Sequence, residues 1–291
     1  MNENRLAFII IVGVLAFVGI LWYAFENPAL NPRLENESYT IVRKCDMPIE
    51  LNEISGIRWI SEDKIAAVQD EEGIIFIYNL KTNLVEKKIS FGKSGDYEAI
   101  TTTDSTAYVM ESSGLLFEVE NYLSNNFETI EYQLPFSGRN NMESVVADTS
   151  NNRLLFAVKD IDPNSKDYKG IYAFDLETKK SNSLPVLKIP LDAPIFKSKD
   201  ADDDIDLFSN FFPSDIAIHP KTGHFYVLEG KNPQVLIMDS NGKLLKLHKL
   251  YEESFPQPEG ITFASDGTLY ISNEGKSGTA NILEVIFDED K

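Results

Sequence analysis

EISGI at 53–57, EAITT at 98–102, ESVVA at 143–147, DIAIH at 215–219 and EGITF at 259–263 are five versions of one phrase. Each opens on an acid and runs into an apolar strand. The starts fall 45, 45, 72 and 44 residues apart, so the third unit is an ordinary one carrying about 27 extra residues. A recurring unit of ~40–50 residues made of short strands points to a propeller, in which every repeat is one small sheet. A second strand follows each start: KIAAVQDE, TAYVMES, LLFAVKD, HFYVLEG and TLYISNE. A third follows that: IIFIYNL, LLFEVEN, GIYAFDL, QVLIMDS and NILEVIF. Asn241-Gly242 and Asp266-Gly267 mark hairpins, because these residues tolerate positive φ.

Four units close with an outer strand, LVEKKISF, ETIEYQLPF, SLPVLKIPL and KLLKLHKL, but the last unit ends after IFDEDK. YTIVRKCDM at 39–47, ahead of the first unit, has the alternation to supply the missing strand and close the ring. The expected fold is therefore all-β, a propeller of five four-stranded blades over residues 38–291. A six-bladed ring is the alternative; it would need a hidden unit between Glu143 and Asp215, where only the loop DAPIFKSKDADDDIDLFSN is visible.

Composition agrees with a large globular core: 291 residues, 43% hydrophobic and 25% charged. Forty-six acidic against 27 basic residues give a formal charge of −19, which repels nucleic acid and attracts cations. The single cysteine, Cys45, excludes an intramolecular disulfide, a CxxC redox pair and a cysteine-built zinc site.

Leu6 to Phe25, LAFIIIVGVLAFVGILWYAF, carries no charge. At ~1.5 Å per residue it spans a bilayer core of ~30 Å, so residues 6–25 read as a transmembrane helix acting as a signal anchor. Arg5 on the upstream flank places residues 1–5 in the cytoplasm, with Trp22 and Tyr23 at the far interface. A cleaved signal peptide is the competing reading, but no A-x-A-like site follows. Residues 26–37, with two prolines, form a tether. This predicts a single-pass protein of the cell (inner) membrane with its propeller on the periplasmic, extracytoplasmic side.

The propeller places the acids. The start of an inner strand and the end of the second strand share one edge of an antiparallel sheet. Glu98 with Glu111, Asp215 with Glu229, Glu259 with Glu274, Glu53 with Asp70 or Glu71, and Glu143 with Asp160 should then pair around one mouth of the central channel. Up to ten carboxylates converge there, and their repulsion must be relieved by a cation, a basic side chain or shared protons. Calcium suits such a cluster, since it accepts ~6–8 oxygen ligands in irregular geometry. The expected metal ligands are Glu53, Glu98, Glu111, Glu143, Asp215, Glu229, Glu259 and Glu274, with Asp70, Asp160 and Asn273 as ligand-binding residues beside them. The same acids have a purely structural reading as staples that accept backbone N–H groups from the neighbouring blade, and the two readings are compatible.

GDYEAI at 95–100, the EISGI start, PSDIAI at 213–218 and QPEGITF at 257–263 followed by LYISNE together resemble the SdiA-regulated (YjiK-like) family of exported or membrane-anchored β-propellers. The resemblance covers about residues 48–289. It implies a propeller on the far side of the inner membrane with calcium as a ligand, and it implies no settled biochemical activity. The sequence departs from the pattern at Gln69-Asp70-Glu71, at Lys159-Asp160 and in the insertion at 192–210.

The expected function is thus a calcium-binding module that presents a ligand-binding or protein-binding surface. The alternative is a calcium-dependent hydrolase, of phosphoesterase or lactonase type, using the same mouth. Against a histidine base, His219 and His224 flank a turn at the opposite edge and His248 falls on an outer strand, all three reading as surface residues. Ser55, Ser112 and Ser272 lie near the mouth with no evident histidine partner. The run Asp200, Asp202, Asp204, Asp206 fails as an EF-hand, having Ile205 at the sixth position and Phe211 at the twelfth.

Overall fold

In the computed structural model, described over residues 39–196, 211–275 and 278–288, five antiparallel sheets follow one another along the chain. The apolar run 6–25, the tether and the acidic run 200–206 lie outside the described residues. Among those described, no helix is long and apolar enough to cross a membrane.

Strand β1 (Tyr39–Asp46) precedes the first blade, which holds β2 (Ile54–Ser61), β3 (Lys64–Gln69), β4 (Ile74–Asn79) and β5 (Leu84–Ser90). The second holds β6 (Tyr97–Thr102), β7 (Thr106–Glu111), β8 (Leu115–Glu120) and β9 (Glu128–Gln133). In the third, β10 (Val146–Asp148), β11 (Arg153–Ala157) and β12 (Tyr168–Asp175) carry an outer edge split between β13 (Lys180–Ser181) and β14 (Leu187–Pro190), both paired to β12. The fourth is β15 (Pro213–Ile218), β16 (Phe225–Glu229), β17 (Gln234–Met238) and β18 (Leu244–Lys249). The fifth joins β19 (Pro258–Phe263), β20 (Leu269–Asn273) and β21 (Asn281–Phe287) to β1, in the order β1-β21-β20-β19. The closing strand thus comes from the front of the domain, as its alternation implied, and the extra residues of the third unit add no sixth sheet among the described residues.

The burial of each strand follows its place in the blade. IIFIYN in β4 is buried through its middle because blades cover both faces, whereas LVEKKIS in β5 alternates, with one face in water. Aromatic rings fill the space between blades: Phe91, Tyr97 and Phe117 meet edge to face with centroids 5.0–5.5 Å apart. Two inner strands pass their neighbours too closely for a side chain. A Cβ on Gly56 would stand 2.7 Å from Ala99 Cα, and one on Gly260 would stand 2.9 Å from the Ile57 nitrogen.

Side chains also tie inner strand to inner strand. Trp59 N–H donates to Thr262 Oγ1 (3.0 Å), Ala147 N–H to Thr101 Oγ1 (3.0 Å) and Ile261 N–H to Asp215 Oδ2 (2.9 Å). One expectation is corrected here. His248, read as a surface residue, is buried and stacks on Phe287 with centroids 4.0 Å apart, and burial pushes its imidazole down to about 4. Its ring lies on the inward face of an alternating outer strand, KLLKLHK, that packs against the last blade.

Candidate functional site

A one-residue register shift opens every inner strand. In the first blade it falls between Ile54 and Gly56, in the second between Tyr97 and Ala99, in the fourth between Pro213 and Asp215, and in the fifth between Pro258 and Gly260. In the third, the pairing moves by one residue between Met142↔Val158 and Val146↔Leu155. A bulge of this kind leaves one residue outside the ladder and re-aims its side chain, a device common beside functional sites. The re-aimed residues in the first, second, fourth and fifth blades are Ser55, Glu98, Ser214 and Glu259, and Glu143 takes the corresponding place in the third. The five acids of the repeated phrase are therefore not equivalent. Glu53 falls two residues before the bulge and Asp215 one after it, and serine occupies the place in both of those blades.

Glu98, Glu143 and Glu259 lie in one another's field. Burial, then Glu143 and Asp96, push the Glu98 carboxyl up to about 9, with Lys159 opposing. Glu143 is buried; burial drives it up to about 7 although Lys159 forms an ion pair with it, and Asn141 Nδ2 donates to its other oxygen at 2.7 Å. For Lys159, burial would lower the ammonium, but Glu143, Glu259 and Glu98 reverse that and hold it above its ordinary value. Lys159 reaches this place because it follows Val158, the partner of Met142 at the end of the second strand.

The remaining expected site residues are distributed differently. Asp70 stands near Glu53, Glu71 and Asp96 on the rim between the first two blades; burial and then Glu53 and Glu71 raise it to about 6, and its Oδ1 is buried without a hydrogen-bond partner. Glu111 accepts from Ser113 Oγ at 2.9 Å, and Glu274 accepts from Gln257. Asp215 acts as the staple, its two oxygens accepting Ile216 N–H and Ile261 N–H, while burial keeps its carboxyl well above the ordinary range. Glu229 is wholly buried and holds Asn232 and Gln234. Asn273 is also buried, donating to Ser254 O (3.3 Å) and Asn281 Oδ1 (3.0 Å), whereas the Asp160 side chain is exposed. Asp215, Glu229 and Asn273 thus serve the scaffold, and Glu98, Glu143 and Glu259 share the mouth.

In donor type and charge the mouth suits a calcium ion, having three carboxylates and no sulfur or imidazole. In the arrangement described, Lys159 is the cation among them, and no three His, Cys, Asp or Glu side chains among the described residues gather as a ready metal-ligand set.

Five antiparallel blades around an acidic mouth place the chain among the β-propellers. More narrowly, it belongs to the SdiA-regulated family, whose sequence model matches residues 31–276. No curated protein matches the chain. Among solved structures it is similar to the glutaminyl cyclase of Myxococcus xanthus, with a TM-score of 0.58 and 11% identity over 85% of this chain and 95% of that one. It is also similar to a streptogramin B lyase, with a TM-score of 0.48 and 11% identity over 85% of this chain and 97% of that one. At such identities the likeness is one of fold.

Proposed function

We propose that the chain is an extracytoplasmic binding module, held at the inner membrane by residues 6–25, whose acidic mouth captures a cationic ligand, calcium in the first instance. The carrying observation is the charge balance: three bulge carboxyls face a single ammonium, so burial and mutual repulsion keep protons on Glu98 and Glu143 at pH values where carboxyls are ordinarily ionised. A divalent cation would supply the missing two charges and release those protons. Glu98, Glu143 and Glu259 are the residues that would hold it, in competition with Lys159. The apolar run and the family's exported character support the location.

The test is a thermal melt of the chelator-stripped protein titrated with calcium or magnesium at fixed ionic strength, since a ligand of the native state raises the midpoint. A saturable, calcium-selective rise is expected, weakened in Glu98→Gln and enlarged in Lys159→Met. If neither ion raises the midpoint selectively in the wild type or in Lys159→Met, the mouth is neutralised by Lys159 and protons alone. The calcium reading then fails and the search turns to protein partners.

One observation favours a hydrolase as the second reading. Glu98 at about 9 and Glu143 at about 7 are a protonated acid beside a carboxyl that can give or take a proton near neutrality, the pairing that general acid–base chemistry uses. Turnover of phosphate esters or lactones that disappears in folded Glu98→Gln would establish it.

A further inference from the structure

The opposite end of the inner strands carries a second cleft, lined by residues of both charges. Where β2 and β6 finish, the first and second blades part to leave a cleft of ≈ 640 Å³, within the ~300–1,000 Å³ range of small-molecule sites. Its lining includes the apolar or aromatic Trp59, Ile60 and Tyr122, the hydroxyl residues Thr102, Thr103 and Thr149, and the acids Glu86 and Asp104. Arg58 lines it too, and its Nε is buried without a hydrogen-bond partner.

The other cations lining the cleft are committed. Lys64 Nζ is 2.7 Å from Glu86 in an ion pair, and Lys87 Nζ donates to the Leu123 carbonyl. Arg58 makes no ion pair with any described carboxylate. The acid whose field it feels most is Asp215, and both oxygens of Asp215 are already taken by backbone N–H groups. A buried donor without a partner is a cost to the folded state, greater when the group is charged, and a ligand that supplies the acceptor removes it. A planar guanidinium matches a carboxylate bidentately, and hydroxyls beside it can complete the oxygens' hydrogen bonds.

We propose that this cleft is a second binding site, distinct from the acidic mouth, for a small organic carboxylate with an apolar or aromatic body: the carboxylate on Arg58 and the threonine hydroxyls, the body against Trp59 and Tyr122. The acidic surface as a whole repels anions, so the site discriminates by local geometry and accepts ligands that bring their own apolar surface. The two sites use different residues, with Asp215 in the field of both Arg58 and the mouth residue Glu259.

Isothermal titration of the full-length chain with benzoate tests it, with benzyl alcohol as the uncharged probe of the same shape. Saturable one-to-one binding of benzoate is expected, with benzyl alcohol at least tenfold weaker. Arg58→Gln should abolish binding. Should that variant fail to fold, Arg58→Lys, which keeps the charge and loses the fork, should weaken benzoate severalfold. Unsaturable benzoate heat, equal affinity for benzyl alcohol, or undiminished binding in a folded Arg58 variant would each overturn the proposal.

Discussion

Replacing Glu98 by Gln should stabilise the protein at pH 8 and leave it unchanged near pH 4. In the folded chain Glu98 holds its proton up to about 9, whereas in the unfolded chain a glutamate releases it near 4.5. Between those values the folded state binds more protons than the unfolded one, so stability falls as pH rises through that window. At ~1.4 kcal/mol for each pH unit between 4.5 and 8, the ceiling is about 5 kcal/mol. Glu143 shares the proton and the mouth admits solvent, which leaves about 2 kcal/mol as the expected gain. Glutamine has the shape of the protonated acid and cannot ionise, so it removes this pH-dependent loss while keeping the packing. For a domain of this size about 2 kcal/mol corresponds to roughly 4–8 °C in Tm. The assay is a pair of melts followed by circular dichroism at pH 4.5 and pH 8, with chelator present so that no cation offsets the repulsion. Superimposable melts at pH 8, or a lower Tm for the variant, would refute the placement of Glu98 among the buried acids of the mouth.

Asp215→Ala leaves the Ile261 and Ile216 N–H groups unpaired inside the ring, and urea unfolding should report a loss of about 2–3 kcal/mol. Gly56→Ala forces a Cβ to 2.7 Å from Ala99 Cα between the inner strands of the first two blades. About 1–3 kcal/mol of destabilisation is expected, while Gly138→Ala, which meets nothing within 4 Å, should stay within ~0.5 kcal/mol by the same measurement.

The repeat made the blade count and the closing strand legible, because strand periodicity and spacing are local properties that survive in a bare sequence. The site was legible in kind and misaligned in detail. Lining the units up on their acids makes Glu53, Glu98, Glu143, Asp215 and Glu259 equivalent. Lining them up on the residue that must pass close to the next inner strand gives instead Ser55-Gly56, Glu98-Ala99, Glu143-Ser144, Ser214-Asp215 and Glu259-Gly260. That pairing of a bulge residue with a following close-approach position was visible in the letters, but charge was the louder signal. Lys159 reads from the sequence as a departure from the pattern; it pairs with Glu143 of its own blade, but its meaning depends on the field of Glu98 and Glu259 from other blades, which no local spacing carries. The threonine ties Thr101 and Thr262 went unread for the same reason, since a threonine within a strand is ordinary and only its partner in the next blade distinguishes it. His248 shows the converse: its outer strand alternates as a strand with one wet face does, yet the next blade covers the position.

The last blade has a consequence for how the chain acquires its fold. Three of its strands come last in the domain and the fourth, β1, comes first, so the longest-range strand pairing among the described residues is also the one that seals the ring. Until β21 exists, β1 has no partner and its backbone edge stays open, a strand waiting through the synthesis of four other sheets. Such non-local closure is slow and leaves an edge exposed to wrong pairing in the meantime. Arg43, Lys44 and Asp46 in YTIVRKCD put charge on that waiting strand, the kind of residue that discourages wrong edge pairing.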